Sequence, residues 1–158
     1  MLHRLLTTAG VAAVVAFVVG GGAFAVASGT GGSDGPARTI TVIEKSGSSH
    51  FVDVGKRGFS IGDEFTINSV FWNTARTERV GSNHGYCVFL GHNRAHCAGT
   101  ARLAGGTIEY AGNTANTPRF RIAVTGGTGD FAGAEGQVHI KNLNKSGSLS
   151  RDVIQLVG

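Results

Sequence analysis

An acid on an apolar strand is the first residue of this sequence able to do chemistry. In Thr39-Ile40-Thr41-Val42-Ile43-Glu44 the β-branched residues favour an extended chain with alternating side chains. Glu44 therefore shares a face with Ile40 and Val42. If that face is interior, the carboxyl leaves water, and a desolvated carboxyl suits a general acid or an electrostatic stabiliser. A strand-end glutamate that reaches solvent or pairs with an arginine satisfies the same spacing, so both readings stand.

The second chemical feature is sulfur. Cys87 and Cys97 are the chain's two cysteines. Tyr86 to Leu90 reads as a strand, Gly91-His92-Asn93-Arg94 as a turn, and Ala95 to Leu103 as the returning strand. A hairpin centred on His92 sets Cys87 directly opposite Cys97. A non-hydrogen-bonded pair of that kind has the short separation a cross-strand disulfide needs. Zinc competes, because His84, His92 and His96 lie near both sulfurs. No C-x-x-C pair is present and an oxidising compartment consumes thiols, so the reading is a Cys87–Cys97 disulfide and no metal.

A glycine-rich run raises a third possibility. Gly127-x-Gly129-x-x-Ala132 follows a strand, as a dinucleotide loop would. That chemistry needs a helix next, its N-terminus facing a pyrophosphate, and here an alternating strand follows. No cofactor is expected. The glycines read instead as a compact turn between two strands, with Phe131 folded beneath it as a plug.

The elements that must position these residues are all strands. No window carries the i, i+3, i+4, i+7 apolar pattern of an amphipathic helix. Strand signals run over 39–44, 50–54, 64–72, 77–82 continuing to 86–90 through a bend at Asn83-His84-Gly85, 95–103, 107–111, 119–124, 137–143 and 152–157, with 113–118 as a loop. Turn residues every 8–12 positions or so mean a sandwich or an antiparallel barrel. Phe65, Ile67, Ser69 and Phe71 share one face of the third strand; with Phe89 and Phe120 its apolar members are candidates to line an interior.

Met1 to Ala27 has a basic start at His3 and Arg4, an uncharged apolar run, and Ala25-Val26-Ala27 where a signal peptidase reads. Residues 1–27 are expected to be a cleaved signal peptide, with an uncleaved anchor as the alternative, and 28–37 a flexible leader. One domain over 38–158 remains, secreted, with no membrane contact once the leader is gone. The formal charge of +4 is spread along the chain: Arg76 and Arg79 flank Glu78, and Arg119 alternates with Arg121. No basic stripe with interleaved aromatics exists, so no nucleic-acid partner is expected.

Two motifs carry a family resemblance. Val124-Thr125-Gly126-Gly127-Thr128-Gly129-Asp130-Phe131-Ala132-Gly133-Ala134-Glu135-Gly136-Gln137-Val138 resembles the signature of allene oxide cyclases and dirigent proteins. Arg79-Val80-Gly81-Ser82-Asn83-His84-Gly85-Tyr86-Cys87-Val88 is similar to their R-(I/V)-G-x-x-x-G-(I/F)-C-V segment, in the expected order and spacing. The G-G-x-I-x-Y-x-G segment from Gly105 to Gly112 also fits. The resemblance runs from about Ile40 to the end.

It implies an all-β fold, an eight-stranded antiparallel calycin-like barrel with an apolar cavity, commonly trimeric, that acts on a small hydrophobic ligand by shape and a few polar groups. By resemblance Glu44 matches a cavity glutamate and Ser69 stands where the cyclases hold a water with asparagine. Ser46 replaces a second asparagine, and Cys87 matches a cavity cysteine that the disulfide would occupy. Glu44 and Ser69 are thus the candidate catalytic pair, with Phe65, Ile67, Phe71, Phe89 and Phe120 the candidate ligand contacts. The departures speak against true allene oxide cyclase activity. They leave open an isomerase or cyclase giving stereocontrol, a non-catalytic lipocalin-like carrier, or a structural surface-interaction barrel filled by its own side chains. Asp53 and Asp63 are proximity candidates for the acids of dirigent chemistry.

Overall fold

The computed structural model describes residues 37–157. The expected signal peptide and the leader, Ala37 apart, lie outside the described residues. Nine strands follow in order: β1 (Arg38–Ser46), β2 (Phe51–Val52), β3 (Glu64–Trp72), β4 (Arg79–Gly91), β5 (Arg94–Leu103), β6 (Gly106–Ala115), β7 (Arg119–Gly129), β8 (Gly136–Asn142) and β9 (Leu149–Leu156). Every pairing is antiparallel, in the order β1-β9-β8-β7-β6-β5-β4-β3-β2. β3 divides its edge: its first residues pair with β2 and its last with β1, from Ser46↔Ser69 to Ile43↔Trp72. The β1–β3 seam closes an eight-stranded barrel, with β2 a short flange outside the ring. Closure decides between sandwich and barrel, a choice that periodicity alone does not make.

Inward positions alternate as the pleat requires. Val42, Phe71, Cys87, Cys97, Ile122 and Ile154 belong to one buried cluster inside the ring. Phe131 belongs to it too, from the 130–135 connection between β7 and β8. The expected plug is present, but the turn is not where the glycines are. β7 continues through Gly126, Gly127 and Thr128 to Gly129, paired with β6 as Ile108↔Gly127 and Gly106↔Gly129. A Cβ at Gly127 would strike the carbonyls of Phe131 and Thr107, so this glycine serves close approach, letting the connection fold down onto the strand.

The strand readings need further corrections, among them that the last strand begins at Leu149 and not at 152. Residues 83–85 do not bend; Ser69↔Asn83, Asn68↔His84 and Ile67↔Gly85 run in continuous register, and the irregularity falls between Phe71 and Trp72. β6 extends to Ala115, shortening the 113–118 loop, because Asn113 and Thr114 pair with His96 and Ala95 on β5. The 50–54 strand shrinks to Phe51–Val52.

The hairpin turn is His92-Asn93, with φ of 49° and 62°, the left-handed pair of a type I′ turn. A two-residue turn alone would oppose Cys87 to Ala98. A register shift between Phe89 and Gly91 restores Cys87↔Cys97. The disulfide forms there, with Cα atoms 4.0 Å apart, matching the close type of antiparallel pair. Replacing both cysteines with alanine should cost up to about 3 kcal/mol, read as a lower urea midpoint with a slope equal or slightly steeper, because the uncrosslinked unfolded chain is less compact.

Candidate functional site

The barrel encloses a cavity of about 460 Å³ that opens at one end, between the β1–β3 connection, the β4–β5 turn, the β6–β7 turn and the β8–β9 loop. Phe65, Ile67, Phe71, Phe89 and Phe120 all line it, as do Ile122, Val138, Ile140 and Ile154. The five expected contacts therefore leave the lumen open instead of filling it. Cys87 and Cys97 face it as a bonded pair. His84 and His96 turn outward onto Asn68 and Asn113, at 2.9 and 3.0 Å. His92 and His96 do stand in an H-x-x-x-H spacing, but on a hairpin and not on the helix that would bring such a pair together.

Within this apolar wall sits one polar cluster. Glu44 faces Ser150 across β9 and Val42 faces Asp152, so Glu44 and Asp152 are diagonal neighbours on the lumen side. Glu44 Oε1 accepts hydrogen bonds from Ser69 Oγ and from Asn83 Nδ2, the latter at 2.8 Å. Asn83 Oδ1 in turn accepts from the Tyr110 hydroxyl at 2.9 Å. Ser150 Oγ donates to Asp152 Oδ1 at 2.7 Å. Ser69 is buried and touches Glu44, yet it is not among the residues lining the open volume.

Electrostatics gives these groups distinct states. Burial first, then the neighbouring Glu44 charge and a hydrogen bond to Glu44, raise the Asp152 carboxyl well above its ordinary range. Two neighbouring carboxyls cannot both ionise cheaply beside an apolar wall, and it is Asp152 whose protonated form the surroundings favour. Burial pushes the Tyr110 phenol up to about 12, opposed by its bond to Asn83. Tyr110 stays neutral and donates, which orients the Asn83 amide so that its nitrogen meets Glu44.

Two glycines make room for that tyrosine. Gly85, Gly99 and Tyr110 are neighbours across β4, β5 and β6. A Cβ on Gly99 would collide with the Tyr110 hydroxyl, and one on Gly85 would stand 2.9 Å from it. The ring therefore lies across both glycines, a slot no side-chain-bearing residue would leave. Gly99→Ala should destabilise the barrel by about 1–3 kcal/mol and loosen the Asn83–Glu44 contact. Urea denaturation measures the first effect, and tyrosine near-ultraviolet dichroism the second.

Of the sequence candidates, Glu44 lies in the lumen and Ser69 bonds to it. Asp53 and Asp63 do not reach it. Asp53 Oδ2 accepts from the Gly58 backbone N–H at 3.0 Å. Asp63, fully buried, accepts from the backbone N–H of Ser60 and of Val54, which hold its carboxyl below the usual range. Both organise the 53–63 connection. The acid that partners Glu44 is Asp152; Asn83 and Tyr110 stand inside the two upstream motif segments without being marked there as site residues, and Ser150 lies outside every motif. The available signal was alternation: Ser150, Asp152 and Ile154 share one face of a strand whose apolar member marks it as interior.

No family model matches the sequence, nor does any curated protein sequence. Solved structures do. A pyocyanin demethylase superimposes with a TM-score of 0.67 at 25% identity, over 76% of this chain and 100% of its own. The pterocarpan synthase dirigent protein PsPTS1 gives 0.63 at 15% identity, over 77% and 95%. AbnU, an exo-specific intermolecular Diels-Alderase, gives 0.64 at 14% identity, over 78% and 100%. The chain has the dirigent-type barrel fold. In this dirigent-type barrel the lumen wall is mostly apolar, with polar residues around the Glu44–Asp152 pair, at Thr114 beside the disulfide, and at the rim, where Asn93, Arg94, Asn116 and Ser146 border the opening.

Proposed function

We propose that this protein is a secreted dirigent-type barrel that binds a small hydrophobic molecule in its lumen and promotes cyclisation or isomerisation with stereocontrol. The observation that carries the reading is a pair of neighbouring carboxyls, one of them raised in pKa by burial, against the wall of an apolar, ligand-sized cavity. Asp152 supplies the proton to an oxygen or other basic atom of the ligand, and Glu44 receives a proton or stabilises developing positive charge. Phe65, Ile67, Phe71, Phe89 and Phe120 hold the rest of the molecule in one folded shape, so that ring closure has a single geometry. The names of the structural neighbours denote a demethylase, a pterocarpan synthase and a Diels-Alderase, all reactions of small organic molecules. Export is supported by the disulfide, since reducing compartments keep thiols free.

A carrier is the second reading. Among the described residues no buried side-chain polar atom lacks a partner, so the polar cluster is stable without a ligand or a reaction. Mass spectrometry of compounds extracted from natively isolated protein tests both. A recovered hydrophobic compound that the protein then converts supports catalysis. One that is held and never converted supports carriage, and a lumen that yields no organic compound under any preparation removes both.

A further inference from the structure

Charge and apolar exposure are sorted along the barrel axis. All but Tyr86 and Val157 of the large exposed apolar side chains among the described residues sit at the open end. Phe51, Val54, Phe59 and Ile61 belong to the β1–β3 connection, Leu90 precedes the β4–β5 turn, and Leu143 starts the β8–β9 loop. Phe59 is 66% exposed yet also borders the lumen. Its ring stacks on Phe51 at 5.6 Å and tilts against Phe89 at 4.5 Å. These three rings form a continuous apolar path from cavity to surface.

The same end is cationic. Lys56, Arg57, Arg94 and Lys145 stand on the connections or at their edge. Just below the rim, strand register aligns Arg119 with Lys141 and Lys141 with Arg151, a row of like charges directly opposed on the outer wall. Such rows destabilise a sheet. The bases that looked scattered in the sequence are thus gathered by folding. Asp53 and Glu64 are the exposed acids at this end, whereas at the closed end Arg38, Arg76, Arg79 and Arg102 are nearly balanced by Glu78, Asp130 and Glu135.

We propose that the open end docks on an anionic phospholipid bilayer, with the apolar side chains inserted at the interface and the cations on headgroup phosphates. Apolar side chains ringed by lysine and arginine are the composition that binds such a surface. A polyanion in water would engage the basic row but leave Phe51, Phe59 and Ile61 in solvent; a bilayer covers both. The proposal goes beyond the lumen's chemistry and holds for an enzyme or a carrier. It reverses the expectation of no membrane contact. Docked in this way, the cavity opens onto lipid, and a hydrophobic ligand exchanges without crossing water.

The test adds vesicles of phosphatidylglycerol, or of phosphatidylcholine alone, to the full chain and maps hydrogen exchange. Expected is protection over 51–62 and 143–148 with the anionic vesicles only, weakening as salt rises. The double variant Lys56→Gln/Arg57→Gln should lower vesicle affinity roughly thirtyfold. Phe59→Asp/Ile61→Asp should abolish the protection while circular dichroism stays unchanged. Three results overturn the proposal. The mouth gains no protection; or vesicle binding survives both variants, placing it on the apolar N-terminal segment; or the protection grows with protein concentration without lipid and sedimentation reports a dimer, making a second copy the partner.

Discussion

Glu44→Gln is expected to bind the compound recovered from the native protein within about threefold of the wild-type affinity and to convert it roughly 10²- to 10⁴-fold more slowly. Glutamine keeps the size of the side chain and an oxygen that can accept from Ser69 and Asn83. What it removes is the second carboxyl oxygen. An amide N–H then faces Asp152, the proton on Asp152 loses its acceptor, and the two groups can no longer pass a proton between them. Binding assays and single-turnover kinetics separate the outcomes. Equal losses in affinity and rate would mean that Glu44 shapes the cavity, and an unchanged rate would leave shape as the sole source of control.

The second large effect is on stability against pH. Asp152 has its folded-state pKa raised, so the folded protein binds this proton more tightly than the unfolded chain. Its contribution is complete below the unfolded value of about 3.8 and is lost as pH rises toward the raised folded value, by at most about 1.4 kcal/mol per pH unit. Asp63 works in the other direction: its lowered pKa gives stability present above about 3.8 and lost as pH falls through the folded value. Asp152→Asn retains a donor toward Glu44 and an acceptor for Ser150, and removes only the titration. The difference in unfolding free energy between wild type and variant should therefore move in the variant's favour from pH 4.5 to pH 8. Urea titrations at several pH values measure it. A difference that stays flat across that range would show that Asp152 does not hold a proton in the lumen.

The sequence made the strands legible where local chemistry was unambiguous. β3 is legible to its observed bounds because Gly62-Asp63 marks its start and Phe65, Ile67, Ser69 and Phe71 alternate cleanly. The run from Gly126 to Gly129 misleads because glycine signals a turn as readily as a strand that must admit another backbone. The candidate site was only half visible. Glu44 stood out as an acid among β-branched neighbours. Its partners lie on β3, β4 and β9, and the tyrosine that orients one of them on β6. No local pattern brings five strands to one point; that depends on register around the ring. The cationic row on β7, β8 and β9 was hidden for the same reason, since Arg119, Lys141 and Arg151 meet only through pairing.

The join between β1 and β3 is short, four residue pairs against eight between β1 and β9. The hydrogen bond from Ser69 to Glu44 spans it, so the groups assigned to chemistry also rivet the cylinder shut. Opening that seam would leave β1 held to β9 and bare two strand edges at once, so the acid assigned to chemistry also keeps those edges covered.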